Sequence, residues 1–298
     1  MAPPRPSRRL RDLLAAGEVR LEACGIERPR LEAEVLMAQA LGVDRGRLAM
    51  MLAATHAASA GGPVVPVPAA VAFRRMVRRR ALREPLAYIL GRREFWSLDF
   101  VVTPAVLTPR PETELLVESA LKLLAAKSSP RILDLGTGSG AIAVALAKEI
   151  PSAEIVATDI SREALEVACA NARRHGLEQR ISFRAGDLFD AVGPIAFDAI
   201  VSNPPYIREA DIATLPRDVR DFEPLIALDG GADGLDFYRR IAREAPGYLN
   251  PGGSVAVEIG ADMGEDVARL FAEAGFDGIR IEKDLAGLER AVSARVGI

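Results

Sequence analysis

Two short stretches of the chain hold residue types whose spacing could do chemistry. The first is LDLGTGSGAIA, from Leu133 to Ala143. Gly136, Gly138 and Gly140 can take backbone angles closed to other residues, and with Thr137 and Ser139 between them they let a ligand approach the main chain. The helix expected after them offers free N–H groups and a positive end for an anionic group. The second stretch is IVSNPPYI, from Ile200 to Ile207. Pro204 and Pro205 lack N–H donors and fix φ, so an apolar strand stops there and a stiff elbow begins. Asn203 and Tyr206 are held at that elbow. Two acids accompany these stretches. Asp159 closes the strand after the glycines, where a carboxylate can accept from both hydroxyls of a ribose. Asp187 stands in AGDLF, ahead of Leu188 and Phe189. The spacing G-x-G-x-G, without the second intervening residue of a dinucleotide fingerprint, leaves a dinucleotide and another adenosyl ligand both open at this point.

Strand and helix patterns must place these residues. RILDLG, AEIVATD, ISFRAGD, FDAIVSN and GSVAVEIG read as strands. AIAVALAKEI, SREALEVACANARRHG, GLDFYRRIAREAPGYL and DVARLFAEAG read as helices between or beside them. That alternation predicts a mainly parallel, doubly wound α/β sheet whose carboxyl ends carry the motifs. GIRIEKD and RAVSARV have no helix between them and should pair antiparallel. Ahead of this region, Leu10, Leu13, Leu14, Leu31, Val35, Leu36, Ala38 and Leu41 recur at helical spacing, as do Phe73, Met76, Val77 and Ala81. AASAGGPVVPVP between the two sets reads as a loop, and REFWSLDFVV reads as a strand or hairpin. The expected organisation is a helical domain over residues 1–90, a β-hairpin linker over 91–110 and an α/β domain over 111–298.

Composition narrows the classes. With 298 residues, 49% hydrophobic and 27% charged, the chain can bury a large core like an ordinary globular protein. A net charge of −3 argues against bulk electrostatic binding of nucleic acid. Cys24 and Cys169, and His56 and His175, are isolated in sequence, so neither a disulfide framework nor a metal site is expected, and the cysteines read as small buried hydrophobes. The Arg-rich N-terminus lacks the apolar stretch of a secretory signal. Residues from Ala57 to Phe73 carry no charge, but Pro63, Pro66 and Pro68 interrupt them, which argues against a membrane span. A cytoplasmic protein is expected. Six arginines between Arg74 and Arg83 form either a solvated helix face or a docking surface for an acidic partner.

Glycines followed by Asp159 on consecutive βα units resemble the S-adenosylmethionine (SAM) site of class I methyltransferases. In that class an acid near Asp187 often bonds the adenine amino group, with Leu188 or Phe189 against the ring. An N-P-P-Y elbow one strand later resembles methyltransferases that modify a planar nitrogen. The residue types suit that chemistry. Methyl transfer from a sulfonium is an in-line displacement, so position and lone-pair direction dominate. An amide or aryl amine has a delocalised lone pair. Acceptors facing its N–H groups favour a geometry that frees it, and the Asn203 side-chain oxygen and Pro204 carbonyl are suitable. The Tyr206 ring could cover the flat group.

Further stretches sharpen the resemblance: REPLAYILGRREFW, VLTPRPETELLVE, DFEPLIALDGGADGLDFYRRI, LNPGGSVAVEIG and KDLAGLERAV. From about Leu82 to Val292 the chain closely resembles the PrmC/HemK family of release factor glutamine methyltransferases. The resemblance implies a seven-stranded, Rossmann-like catalytic domain with an N-terminal helical domain that helps bind the protein substrate. It implies SAM as methyl donor and class 1 peptide chain release factors as partners, methylated on the Gln of their Gly-Gly-Gln loop. It carries Gly136 to Gly140, Asp159 and Asn203 over as cofactor contacts, with Asp187 and Leu188 at the adenine. Asn203, Pro204, Pro205 and Tyr206 become the glutamine clamp. Relatives can carry an aromatic residue where this chain has Leu188, which puts ring stacking there in doubt. The loop from Arg110 to Glu114 could act as a lid or simply start a helix, and Glu223 and Asp236 are similarly open. A monomer is expected. The alternatives are a DNA adenine-N6 methyltransferase, which would need a DNA-reading domain and a basic cleft, and a SAM-binding regulator without catalysis.

Overall fold

The computed structural model describes residues 8–57 and 63–297. The extreme N-terminus, part of the Gly- and Pro-rich loop and the His56 side chain lie outside the described residues. The chain forms two compact units, Met1–Leu90 and Gly91–Ile298.

The first unit is helical: α1 (Leu10–Ala23), α2 (Pro29–Leu41), α3 (Arg45–Ala57), α4 (Val67–Ala81) and α5 (Leu86–Leu90). Its core draws Leu10, Leu14 and Leu21 from α1, Leu36 and Met37 from α2, and Phe73 and Val77 from α4. Gly17 sets the closest approach, because a Cβ there would stand 2.6 Å from the Phe73 ring. The arginine run divides. Arg80 is buried and pairs with Glu32 at 2.6 Å, joining α4 to α2. Arg79 pairs with Glu84, and Arg83 donates to the Gly25 carbonyl at 3.0 Å. Arg75 and Arg78 are exposed. Much of the run is therefore internal bracing, neither a purely solvated face nor a purely docking one.

The second unit opens with a hairpin, β1 (Arg92–Phe95) and β2 (Leu98–Val101). Its two turn residues, Trp96 and Ser97, both have positive φ, the twist that two-residue hairpins favour. Phe95 and Phe100 enter the unit's own core, so the hairpin belongs to this unit by its packing. Then follow α6 (Glu114–Leu124), β3 (Arg131–Leu135), α7 (Ala141–Glu149), β4 (Glu154–Asp159), α8 (Arg162–Arg174), β5 (Ile181–Ala185) and β6 (Phe197–Ser202). Two single-turn helices, α9 (Glu209–Ile212) and α10 (Arg217–Arg220), precede α11 (Asp236–Glu244), β7 (Leu249–Glu258), α12 (Gly264–Glu273), β8 (Asp277–Lys283) and β9 (Glu289–Arg295).

The seven strands β3 to β9 form one sheet in the order β5-β4-β3-β6-β7-β9-β8. β3 to β7 pair in parallel, and β9 pairs antiparallel with both β7 and β8. Neighbouring residues go to opposite faces: Ile132 joins one apolar layer and Leu133 the other, as do Val201 and Ile200. Burial on both faces explains why these strands read as continuous apolar runs. Strand order reverses between β3 and β6, and the crevice at their carboxyl ends is where such sheets bind ligands.

Two boundaries differ from the sequence patterns. The helix read through GLDFYRRIAREAPGYL ends at Glu244, because Pro246 tightens Ala245–Tyr248 into a 3-10 turn. β7 begins at Leu249, ahead of Pro251, and its pairing with β6 shifts register there before resuming at Ser254. Both cysteines are half-buried rather than buried. Among the described residues, no helix is long and apolar enough to cross a membrane, and no cluster of His, Cys, Asp or Glu could hold a metal.

Candidate functional site

A cavity of about 340 Å³ opens at the carboxyl ends of β3, β4 and β6. Its floor is the loop after β3. Gly136 and Gly138 have positive φ, and a Cβ on either would meet nothing within 4 Å, so both leave space that a ligand can use. Thr137 and Ser139 also line the cavity. Gly140 does not. It caps α7 at φ 79, where a Cβ would stand 3.1 Å from that of Ala168. Helix packing thus requires the third glycine.

The loop is braced from below and behind. Asp134 is fully buried, and its Oδ2 accepts from the Thr137 hydroxyl at 2.6 Å. Burial pushes Asp134 up to about 7, with the Thr137 bond opposing and the Asp159 charge assisting. Asn171 of α8, also fully buried, donates to the Ser139 carbonyl at 2.9 Å and exchanges bonds with the main chain of Val101. Neither Asp134 as a structural acid nor Asn171 stands out in the sequence pattern as part of this site.

Asp159 faces the glycines. Its Oδ2 accepts from the Gly138 N–H at 2.8 Å and its Oδ1 from the Ser161 N–H at 2.9 Å. Burial pushes this carboxyl above its usual range, while those amides pull the other way. It both shapes the loop and lines the cavity. Asp187 and Leu188 follow β5 on the same wall. Asp187 is not a lone turn residue, for it pairs with Arg240 of α11 at 2.9 Å. Leu188 holds a positive φ of 48, uncommon for a branched side chain, and its carbonyl accepts from the Thr158 hydroxyl at 3.2 Å.

At the end of β6 the elbow meets this wall. The Ser202 hydroxyl ties it to β3 through the Leu135 carbonyl at 2.8 Å. Asn203, Pro204 and Pro205 line the cavity. Asn203 Nδ2 donates to the Thr113 hydroxyl at 3.3 Å. Among the described residues, neither Asn203 Oδ1 nor the Pro204 carbonyl accepts a hydrogen bond. Tyr206 departs from the expectation. It is absent from the cavity wall, and its ring packs against the core layer around Tyr238 and Met263. Burial, with the Glu258 and Glu112 charges adding, pushes its hydroxyl above the usual range. Its main chain is clasped by a glycine turn: a Cβ on Gly230 would stand 2.7 Å from Tyr206 Cα, and one on Gly234 would stand 2.5 Å from its carbonyl. The Ile207 N–H donates to the Leu228 carbonyl at 3.0 Å, and the Gly230 N–H donates to the Ile207 carbonyl at 2.8 Å. In this structure the tyrosine ring lies against that core layer and its main chain is held by the glycine turn.

Further lining residues come from Ala105 to Arg110, and from Pro224, Ile226, Ala227, Phe237 and Arg240. Arg110 forms an ion pair with Glu223, whose side chain is buried, so the Arg110–Glu114 loop is pinned to the segment after β6. The sequence marks this wall only through the Arg110–Glu114 loop and Glu223, both left open there.

The doubly wound sheet, the glycine loop with Asp159 and the Asn-Pro-Pro elbow together define a class I, SAM-dependent methyltransferase. The Methyltransferase small domain family matches residues 111–216, and the PrmC N-terminal domain matches residues 12–91. The chain belongs to the release factor glutamine methyltransferase family. It is 48% identical to the release factor glutamine methyltransferase of Geobacter sulfurreducens over 92% of both chains. It is 46% identical to that of Moorella thermoacetica, over 96% of this chain and 98% of the relative. A solved methyltransferase from Pyrococcus furiosus shares the fold, with a TM-score of 0.51 and 21% identity over 76% of this chain and 98% of that one. The open space over Gly136 and Gly138, next to a carboxylate and an apolar wall, fits an adenosyl cofactor.

Proposed function

We propose that this chain methylates the side-chain amide nitrogen of the Gln in the Gly-Gly-Gln loop of class 1 peptide chain release factors. The observation that carries the reading is Asn203, whose NH₂ turns back to Thr113 and leaves Oδ1 without a partner on the wall shared with the glycine loop. When bound, SAM supplies an electrophilic methyl group.

The chain's residues do the rest. Gly136, Thr137, Gly138 and Ser139 would hold the cofactor through main-chain contact, with Asp159 beside them to take its ribose. Asp187, steadied by Arg240, and the apolar face of Leu188 hold the adenine end. Asn203 Oδ1 and the Pro204 carbonyl accept hydrogen bonds from the two amide N–H groups of the glutamine. Those bonds turn the nitrogen lone pair toward the methyl donor, and placing the poor nucleophile in line supplies most of the acceleration. Pro205 walls the flat group, and Tyr206 fixes the elbow from the core. The first unit docks the protein substrate. The enzyme works as a cytoplasmic monomer.

Incubation with labelled SAM and a release factor tests this. The expected result is one methyl group, mapped by mass spectrometry to the Gly-Gly-Gln glutamine. An unlabelled release factor, with an active relative as control, would overturn the reading. Label on DNA instead would support an adenine-N6 methyltransferase.

A further inference from the structure

Asn203 serves as an acceptor only if its amide points the right way. Its oxygen and NH₂ have nearly the same shape, and the Thr113 hydroxyl can either donate or accept. The contact between Asn203 and Thr113 therefore fits either orientation by itself. A group behind Thr113 must decide.

Glu258 occupies that place. It ends β7 and is 1% exposed. Ser202 pairs with Val257 across the parallel strands β6 and β7, so Asn203 and Glu258 come next along them. The Thr113 and Asn203 side chains both face its carboxyl, and its Oε2 has no hydrogen-bond partner. Glu112 of the turn before α6 and Arg290 of β9 face it too, as do Tyr206 and Tyr238. The Tyr238 hydroxyl is occupied with the Glu258 main-chain carbonyl at 2.8 Å.

We infer that Glu258 is a positioning residue that sets the Asn203 amide through Thr113, with Nδ2 inward and Oδ1 toward the cavity. This deepens the glutamine reading and rests on it. A carboxylate has acceptors only. It accepts a hydrogen bond from the Thr113 hydroxyl, Thr113 Oγ1 is left to accept, and Asn203 Nδ2 must donate to it. A protonated Glu258 donates a hydrogen bond to Thr113 Oγ1 instead. Thr113 then turns its proton toward Asn203 Oδ1, and the amide reverses. A reversed amide presents N–H groups to the N–H groups of the glutamine. Burial pushes Glu258 up to about 7, with the Glu112 charge assisting and Thr113, Arg290 and Asn203 opposing. The ordered form is therefore gained as pH rises through about 7.

Two measurements on the full chain test the inference. The first is the ¹⁵N–¹H signal of the Asn203 side chain, assigned by its loss in Asn203→Ala. It should titrate with a midpoint near 7 in the wild type and in Asp134→Asn, and stay flat in Glu258→Gln. The second is turnover on a release factor at saturating SAM. Glu258→Gln should lower kcat by about 10- to 100-fold, leaving KM and SAM affinity within about twofold. Thr113→Val should do the same, and the double variant should be no slower than the slower single. An Asn203 signal that does not titrate, or titrates alike in Glu258→Gln, overturns the inference. So do additive losses, or a loss of SAM affinity in both variants. Failure of the glutamine reading looks different: the wild type leaves the release factor unlabelled while the Asn203 titration stands.

Discussion

Asp134 and Glu258 are two deeply buried acids behind the cavity, and each has a threonine hydroxyl for a neighbour. Burial pushes both up to about 7. They differ in where the threonine comes from. Thr137 lies in the same turn as Asp134, so the cofactor end of the cavity is built from one contiguous stretch. Thr113, Asn203 and Glu258 come from three segments far apart in the chain. The acceptor end exists only once β6 and β7 lie in register and the turn before α6 has docked. Cofactor binding can thus rest on a local motif, whereas amide recognition depends on the whole sheet.

The largest expected effect separates the two ends directly. Asn203→Ala removes an acceptor that matters when the amide lone pair is being freed. It should lower single-turnover methylation by about 10³-fold, while calorimetry finds SAM affinity within a few-fold. Turnover surviving intact would favour a SAM-binding regulator over an enzyme.

Next comes the pH dependence of stability. The ordinary values are 3.8 for Asp134 and 4.5 for Glu258, below their folded values of about 7. Between those limits the folded chain holds more protons than the unfolded one. Stability therefore falls as pH rises from about 4 to about 7, and the loss is complete above that window. Asp134→Asn and Glu258→Gln each remove one such slope. Relative to wild type, each should gain roughly 3–4 kcal/mol in urea melts at pH 8 compared with pH 4, Asp134→Asn the more. Equal offsets at both pH values would show that the buried acid is not the cause.

The contrast between the two ends also explains what could be read from residues alone. The sheet, the glycine loop, Asp159 and the Asn-Pro-Pro elbow follow from local signals: apolar runs, positive-φ residues, prolines and a strand-end acid. Glu258 reads as one polar residue in an apolar strand, because its partners arrive through tertiary register. Tyr206 is likewise placed by tertiary contacts. A tyrosine after two prolines suggests a ring over a flat ligand, whereas here its main chain lies close against Gly230 and Gly234 and its ring packs on the core layer. Arg240 belongs to a helix that reads as ordinary, and only the fold brings it to Asp187.

Within the glycine loop the same logic gives a smaller, crossed pair of effects. Gly138→Ala and Gly140→Ala should each lose about 1 kcal/mol to positive φ. Gly140→Ala should lose more, since its Cβ presses on Ala168, but should leave SAM affinity nearly unchanged. Gly138→Ala has open space before it, so its Cβ should cost about tenfold in SAM affinity. Calorimetry and melts on both variants check the crossing. An affinity loss in Gly140→Ala alone would return that glycine to the cavity wall.

Arg240→Ala should show the smallest effect. Arg240 and Asp187 are about one-third exposed, at 32% and 37%, so solvent screens the pair and its direct contribution stays below about 1 kcal/mol. What the arginine adds is direction. Pairing with one Asp187 oxygen leaves the other free to face the adenine end of the cavity. The expected change is about threefold in SAM affinity, weakening further at low salt relative to wild type as the pair's screening is removed. A loss of tenfold or more would mean that Arg240 itself touches the cofactor, and would move this wall from support to contact.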